Sequence, residues 1–483
     1  MSLFAVKPLE QILAESQSQN ALKRSLGPVA LVALGIGAVV GAGIFTLTGV
    51  VAATAAGPGL ILSFVLAGLA CMFAGLCYSE FATMIPVAGS AYTYAYATLG
   101  EIWAWIIGWD LILEYSVGAA TVSIGWSQTL TALLSSLGLH VPDTIAASPF
   151  QGGPMASTGL INLPAVVIVV AASLILIRGI RESAGVNTVM VALKVTVILV
   201  FIAIGWSYMV PANHTPLIPP NEGTFGRFGW SGILSGAGLI FFAYIGFDSV
   251  STAAQETRNP ARDIPIGLFG SLLACTALFI LYAWVLTGVV PYRMLNVAAP
   301  LSLALERIPY RGLSIAMNMA VLLGLTSVIL VMLLGQSRVF YSMARDGLLP
   351  KAFGEVHPRF RTPWRCNLLL MLFVSAFSAF APIGVVGSMT SIGTLFAFVI
   401  VSAGVIRMRR THPEASRPFR TPWVPFVPIV GIAVNLALMS GLGLANWARL
   451  IGWLIIGLAI YFARRPSRIA PTISTSDCAT TEG

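Results

Sequence analysis

The sequence predicts an all-α, polytopic membrane protein of twelve transmembrane helices, and three observations carry that prediction. Hydrophobic residues make up 57% of the 483-residue chain and charged residues only 9%, against roughly 25% charged in soluble domains. Long blocks carry no charge at all: Ser25–Ser79, Ile264–Tyr292, Gly312–Ser337, Cys366–Ile406 and Thr421–Ala448. A bilayer span needs about 20 apolar residues, so these blocks hold one or two spans each. Lastly, the basic residues collect on alternate connections, as the positive-inside rule requires of cytoplasmic loops.

In chain order the spans are expected at 28–50, 57–84, 100–133, 160–178, 185–210, 231–254, 265–290, 313–345, 366–381, 384–407, 424–442 and 446–463. With the N-terminus in the cytoplasm, the cytoplasmic segments hold 21 of the 27 Lys and Arg residues and the opposite face holds 5, Lys194 lying within a span. Misplacing one span would scramble that asymmetry. Both termini are therefore expected in the cytoplasm. Residues 1–26 form a cytoplasmic N-terminal segment; Met1–Asn20 lacks the apolar core of a secretory signal, so the first span is expected to be retained. Pro86–Ala97 reads as a surface-lying or re-entrant helix, and Leu295–Arg307 as a short external one. The Ser/Thr-rich tail, 466–483, reads as disordered.

The same features exclude several functions. The excess of Lys and Arg follows from topology, so no nucleic-acid partner is expected. Cys71, Cys77, Cys275, Cys366 and Cys478 show no CxxC spacing, which leaves no disulfide framework and no metal site. His140, His214, His357 and His412 all fall in expected loops; no catalytic residue and no cofactor is expected. A channel would need a polar or charged pore-lining series, which the spans lack. No Walker motif is present.

Two glycine-rich passages stand out. The first span contains Gly35, Gly37, Gly41 and Gly43, each costing about 1 kcal/mol relative to Ala in a helix interior. Close helix packing is one reading, since Gly37 and Gly41 are spaced as GxxxG. The other is local unwinding, tolerated at that depth only where the freed backbone is buried or lines a cavity. The sixth span carries a second passage, Ser235-Gly236-Ala237-Gly238 and then Phe241 to Ser249. Matching interruptions in two halves are the mark of inverted-repeat carriers with a midplane site. A helix N-terminus offers NH groups to a carboxylate, and carbonyls at a facing end take an ammonium. Spans one and six, if broken, thus suit a zwitterion such as an amino acid.

At these residues the chain resembles the amino acid–polyamine–organocation superfamily, and within it the bacterial type of cationic amino acid transporter. The resemblance rests on GIGAVVGAGIF (35–45), YSEFATMIPVAGSAYTYAYATLGE (78–101), GWDLILEYSVGAATVSIGWS (108–127), FFAYIGFDSVSTAAQETRNPARDIPIG (241–267) and QSRVFYSMARDGLLP (336–350). It implies a five-plus-five inverted repeat of the LeuT type, 27–210 and 231–410, followed by two extra helices over 421–465, in a bacterial inner membrane. It implies secondary active amino acid transport by alternating access. Carried over by position, Val40, Gly41, Ala42 and Gly43 receive the substrate carboxylate, while Phe242, Ala243 and Ile245 surround the amino group. Ala42 stands where relatives often have threonine, which leaves the carboxylate more dependent on backbone NH groups.

Ionisable residues inside spans complete the candidates. Lys194 is the sole charge between Glu182 and Glu222, and a mid-span charge is costly and usually functional. In proton-coupled relatives a lysine here replaces a sodium ion, which implies H+ as the coupling ion. Glu114, four residues after Asp110 on one helix face, is a second coupling candidate and a candidate partner for Lys194. Asp248 is expected to cap or orient the sixth span after its interruption; Glu80 and Glu101 read as gating or packing residues. Thr326 and Ser327 mark a candidate cation site and keep sodium coupling open, as do uncoupled exchange of amino acids or polyamines and a sensor role. Met332 would close the side-chain end of the pocket, disfavouring a long guanidinium and favouring small neutral amino acids. Beyond substrate and lipid bilayer, the sequence is silent on a small accessory transmembrane subunit.

Overall fold

The computed structural model describes residues 4–8, 12, 26–85, 90–150, 159–179, 184–360 and 362–464. The expected tail, most of the N-terminal segment and residues 86–89 of the expected re-entrant helix lie outside these. Among the described residues the structure is helical and has no strand. Seven helical segments are long and apolar enough to cross a membrane: Gly43–Met84, Thr188–Tyr208, Gly229–Thr252, Pro260–Val289, Gly312–Arg345, Ile383–Thr411 and Leu444–Arg464. Four shorter apolar helices accompany them: Pro28–Val39, Leu163–Ile177, Trp364–Phe380 and Phe426–Gly441.

The helices that position the site are α1 (Pro28–Val39), α2 (Leu60–Met84), α3 (Ser90–Thr98), α4 (Glu101–Ile112) and α5 (Gly118–Ser136). After them come α6 (Leu163–Ile177), α7 (Ala184–Gly205), α8 (Gly229–Ile240) and α9 (Pro260–Val289). A short α10 (Pro300–Glu306), where the sequence placed an external helix, precedes α11 (Arg311–Arg345), α12 (Trp364–Phe380), α13 (Ile383–Thr411), α14 (Phe426–Gly441) and α15 (Leu444–Arg464). Local chemistry starts several of them. Pro28, Pro164 and Pro260 sit in first turns, where a missing NH costs nothing. Asn162 caps α6 by accepting from the Ala165 NH at 3.3 Å.

Packing sorts the helices into two groups. In one, α1 and α2 lie on α9, and α8 lies on α2; in the other, α5 lies on α11 and α6 on α12. α7 and α13 each touch both groups: α7 packs on α1, α9 and α11, and α13 on α2, α5 and α8. α15 is pinned to α4 by three indole bonds. Trp105 Nε1 donates to Gly457 O at 2.9 Å, Trp109 Nε1 to Trp453 O at 2.8 Å, and Trp453 Nε1 back to Trp109 O at 3.2 Å.

A buried ion network holds the arginine-rich end of α13. Glu80 of α2 is 1% exposed. Arg409 Nε and Nη2 donate to its two oxygens, both at 2.8 Å, and the Thr421 NH donates to Oε2 at 2.8 Å. Arg417 Nε lies 3.3 Å from Oε1, while its other nitrogens donate to carbonyls of Met408, His412, Pro413 and Ala415. A bidentate, charge-assisted pair of this kind fixes orientation as well as distance. Removing one partner strands a buried charge, which costs about 3 kcal/mol or more. Glu80→Gln is therefore expected to lower the melting temperature of the detergent-solubilised chain. A double-mutant cycle with Arg409→Gln is expected to give a coupling energy above about 1 kcal/mol.

Candidate functional site

The two glycine-rich passages meet. α1 ends at Val39; Val40 turns extended (φ −74°, ψ 99°), and helical geometry resumes at Ala42 and runs on through a π-helical turn, Gly43–Leu47. α8 ends at Ile240 and passes through a tight turn, Phe241–Tyr244; Ile245 is extended (φ −60°, ψ 136°) and Gly246 left-handed (φ 100°). Helical backbone returns at Ser249–Thr252. A Cβ on Gly43 would lie 2.3 Å from Ala243 Cα, and one on Gly246 would lie 3.1 Å from Ala38 O. Backbone is thus in contact with backbone at both points. Gly246 is further required by its positive φ, which L side chains rarely adopt.

This contact leaves two helix ends with opposite polarity side by side. The last carbonyls of α1 and the first NH groups of the segment after Val40 have no partners of the ordinary i, i−4 kind. One carbonyl is taken by Lys194: its Nζ donates to Gly37 O at 2.7 Å, and the residue is 1% exposed. Its stem lies on α11, where a Cβ on Gly324 would come within 2.8 Å of Lys194 Cγ. The ammonium thus sits at the carbonyl end of α1, the favourable end for a cation. The NH groups of the turn from Gly41 onward form the complementary, anion-accepting end.

The other substrate candidates surround this point. Val40, Ala42, Phe242, Ala243 and Ile245 are all buried. A Cβ on Gly41 would lie 3.5 Å from Val328 Cγ1 of α11. One turn further along α11, Met332 Sδ lies 3.3 Å from where a Gly118 Cβ would stand, beside Thr390 of α13. Ala42 and Thr46 pack against Gly125 of α5, each 3.1 Å from its Cβ position. Thr326 Oγ1 donates to Leu322 O at 2.8 Å and accepts from Trp126 Nε1 at 3.1 Å; Ser327 Oγ donates to Gly324 O at 3.0 Å. Much of the ligating capacity of Thr326 is therefore already engaged.

Three buried acids form a second polar group. Tyr115, next to Glu114, packs against Gly335 of α11, whereas Lys194 packs against Gly324. Those glycines are about three helical turns apart, roughly 16 Å at 1.5 Å per residue. Glu114 is grouped with Asp248, Asp110 and Thr394. All three acids are 1% exposed. Asp248 stands at the N-cap of Ser249–Thr252 without a capping side-chain bond; Tyr115 Oη donates to its Oδ2 at 3.4 Å instead. Glu101 accepts from Tyr461 Oη at 2.7 Å, a packing contact to α15. Gly324 and Gly125 were missed from sequence, because a lone glycine in an apolar run carries no phase information.

Among the described residues no group of three or more His, Cys, Asp or Glu could hold a metal ion.

Residues 26–460 match the family described as amino acid permease. The chain is 44% identical over 471 residues to the branched-chain amino acid permease of Bacillus subtilis (strain 168), covering 97% of this chain and 99% of the relative. It is 42% identical over 461 residues to the methylthioribose transporter of the same organism, covering 95% and 97%. It is 36% identical over 423 residues to the chloroplastic cationic amino acid transporter 9 of Arabidopsis thaliana, covering 86% and 72%.

Overpacking at Gly43 tests the backbone contact. Gly43→Ala is expected to lower stability by about 1–3 kcal/mol. Gly452→Ala, at a position with open space around it, is expected to leave the melting temperature at the parent value. Thermal unfolding in detergent reads both.

Proposed function

The chain belongs to the amino acid permease family, and from that premise we propose that it carries small apolar amino acids across the membrane, driven by the proton gradient, by alternating access. It is a multi-pass membrane transporter and not an enzyme. The observation that carries the finer reading is the contact of the two non-helical stretches, Gly43 on Ala243 and Gly246 on Ala38. It brings NH groups and carbonyls of opposite polarity together in the buried interior. In this reading spans one and six are broken and the NH groups at Val40–Gly43 take the carboxylate. Phe242, Ala243 and Ile245 enclose the amino group, and Met332 bounds the side chain.

The five-plus-five inverted repeat with two added helices, twelve spans in all, is supported by the packing. The fifth and tenth spans, α7 and α13, each bridge the two helix groups at equivalent places in the two halves. Cytoplasmic termini in a bacterial inner membrane fit the distribution of Lys and Arg. No cofactor is needed and the coupling ion is H+. Lys194, hydrogen-bonded to the carbonyl end of α1, carries the coupling, with Glu114 as a second buried ionisable group in a span, the kind of residue that marks a proton path. Sodium coupling through Thr326 and Ser327 is the lesser reading, because an ammonium lying on Gly324 repels a second cation nearby. A sensor role, uncoupled exchange and an accessory subunit rest on no contact described above.

Uptake into proteoliposomes tests this with a panel of labelled amino acids plus methylthioribose, under an inward proton gradient, a sodium gradient or neither. Gradient-driven accumulation of leucine, valine or alanine is expected; no accumulation of any compound would overturn the carrier reading. Lys194→Ala is expected to reduce proton-driven accumulation by about tenfold, the scale of one coupling free energy, while counterflow exchange persists. Met332→Ala is expected to admit larger side chains, seen as phenylalanine or arginine uptake that the parent lacks.

A further inference from the structure

Where α6 ends and α12 begins, the chain builds a compact aromatic turn. Thr362 Oγ1 donates to Ile177 O at 2.7 Å, closing the loop before α12 onto the last residue of α6. A Cβ on Gly179 would lie 3.0 Å from Phe360 O, and the positive φ of Gly179 (74°) turns the chain away at that contact. Within the turn, the His357 NH donates to Thr362 O at 2.8 Å, and His357 Nδ1 accepts from the NH groups of Arg359 and Phe360 at 3.1 and 3.2 Å. The His357 ring centroid lies 4.7 Å from that of Phe360 and 6.1 Å from that of Trp364. The turn is thus fixed by its own backbone and rings.

Arginines edge this turn. Arg178 stands at the C-cap of α6, Arg359 lies 5.8 Å over the Phe360 ring and Arg365 lies 5.4 Å over the Trp364 ring. All three are exposed. Arg365 also pairs with Glu355 at 2.6 Å, whereas among the described residues no acid pairs with Arg178 or Arg359. In this they differ from Arg409 and Arg417, which Glu80 engages, and from Lys7, which Asp346 engages at 2.9 Å. Beyond the turn, α6 and α12 pack on each other and direct apolar side chains outward: Leu174 is 47%, Leu369 48% and Leu372 64% exposed. A charged, aromatic ledge therefore borders directly on a two-helix apolar face.

We propose that this ledge holds the headgroup of an anionic phospholipid, whose acyl chains lie on the outward faces of α6 and α12. Guanidinium forks match phosphate oxygens in a bidentate manner, and aromatic rings settle at headgroup depth. A phosphate reached by Arg178 and Arg359 touches the end of α6 and the loop before α12 together. It adds a second clamp beside the Thr362–Ile177 bond. A zwitterionic lipid brings its own ammonium to the same place, where the arginines repel it, so the site favours a net negative headgroup. Free phosphate has nothing to cover the apolar face, which makes a membrane lipid the fitting occupant. The inference concerns the lipid-facing side of the chain and holds whatever the cargo.

The test titrates the full chain in detergent micelles with phosphatidylglycerol or phosphatidylcholine and counts bound lipids by native mass spectrometry. The parent is expected to hold phosphatidylglycerol more tightly than phosphatidylcholine. The double variant Arg178→Gln, Arg359→Gln is expected to lose about tenfold in affinity for phosphatidylglycerol, the scale of two basic residues at a membrane surface, with its melting temperature in phosphatidylcholine nanodiscs unchanged. Arg410→Gln, Arg420→Gln removes two exposed arginines elsewhere and is expected to change that affinity by less than about twofold, because it leaves the ledge intact. Arg178→Lys, Arg359→Lys keeps the charge but not the planar fork, and is expected to lose about threefold. Equal losses in the two glutamine variants would reduce the attraction to diffuse surface charge and overturn the site. Parent-level affinity in the Arg178, Arg359 glutamine or lysine variant would overturn it as well, as would equal binding of the two lipids by the parent.

Discussion

The approach of backbone to backbone at Gly43–Ala243 and Gly246–Ala38 is the constraint on which the site depends. A helix interior satisfies its own NH and C=O groups, so an apolar bundle of unbroken helices would offer a polar ligand nothing. Stopping α1 at Val39 and α8 at Ile240 frees groups of both signs at one depth. They are affordable there because each stretch is buried against the other. A side chain at Gly43 would drive the stretches apart, and one at Gly246 would oppose the left-handed turn that lets the chain pass Ala38.

Around that contact the polar side chains divide the work by location. Lys194 reaches the carbonyl end of α1 and rests on a glycine of α11, so it bridges those two helices. Asp110, Glu114 and Asp248 form a second buried group, with Tyr115 packing on Gly335 of α11 and donating to Asp248. Glu80 with Arg409 and Arg417 binds the end of α13 to α2. Since α2 belongs to one helix group and α13 bridges both, that network is a fixed point between them, not a part of the pocket.

The relatives narrow the chemistry without naming the cargo. A branched-chain amino acid permease and a methylthioribose transporter match the chain almost equally well. Ligands that differ so much imply that the side-chain end of the pocket varies on a constant backbone frame. On the proposed reading, that end in this chain is where Met332 meets Gly118 and Thr390.

The sequence by itself determined the membrane class and the all-helical architecture, and it marked the two glycine-rich passages. Those are written in composition, in charge-free blocks and in glycine clusters, which act locally. It also singled out Lys194, because a lone charge in an apolar run is visible without a fold. Only the tertiary structure decided what each buried group faces. Helix phase over 20 or more apolar residues is undetermined when every face is hydrophobic. Thus the sequence left open which groups Glu114 faces, whereas packing sets it with Asp110 and Asp248. It allowed Asp248 to cap a helix, whereas the turn at Gly246 delivers its carboxylate to Tyr115. The role of Gly324 as the floor under an ammonium exists only once α7 and α11 have packed, because it is a property of the gap between two helices and not of either one.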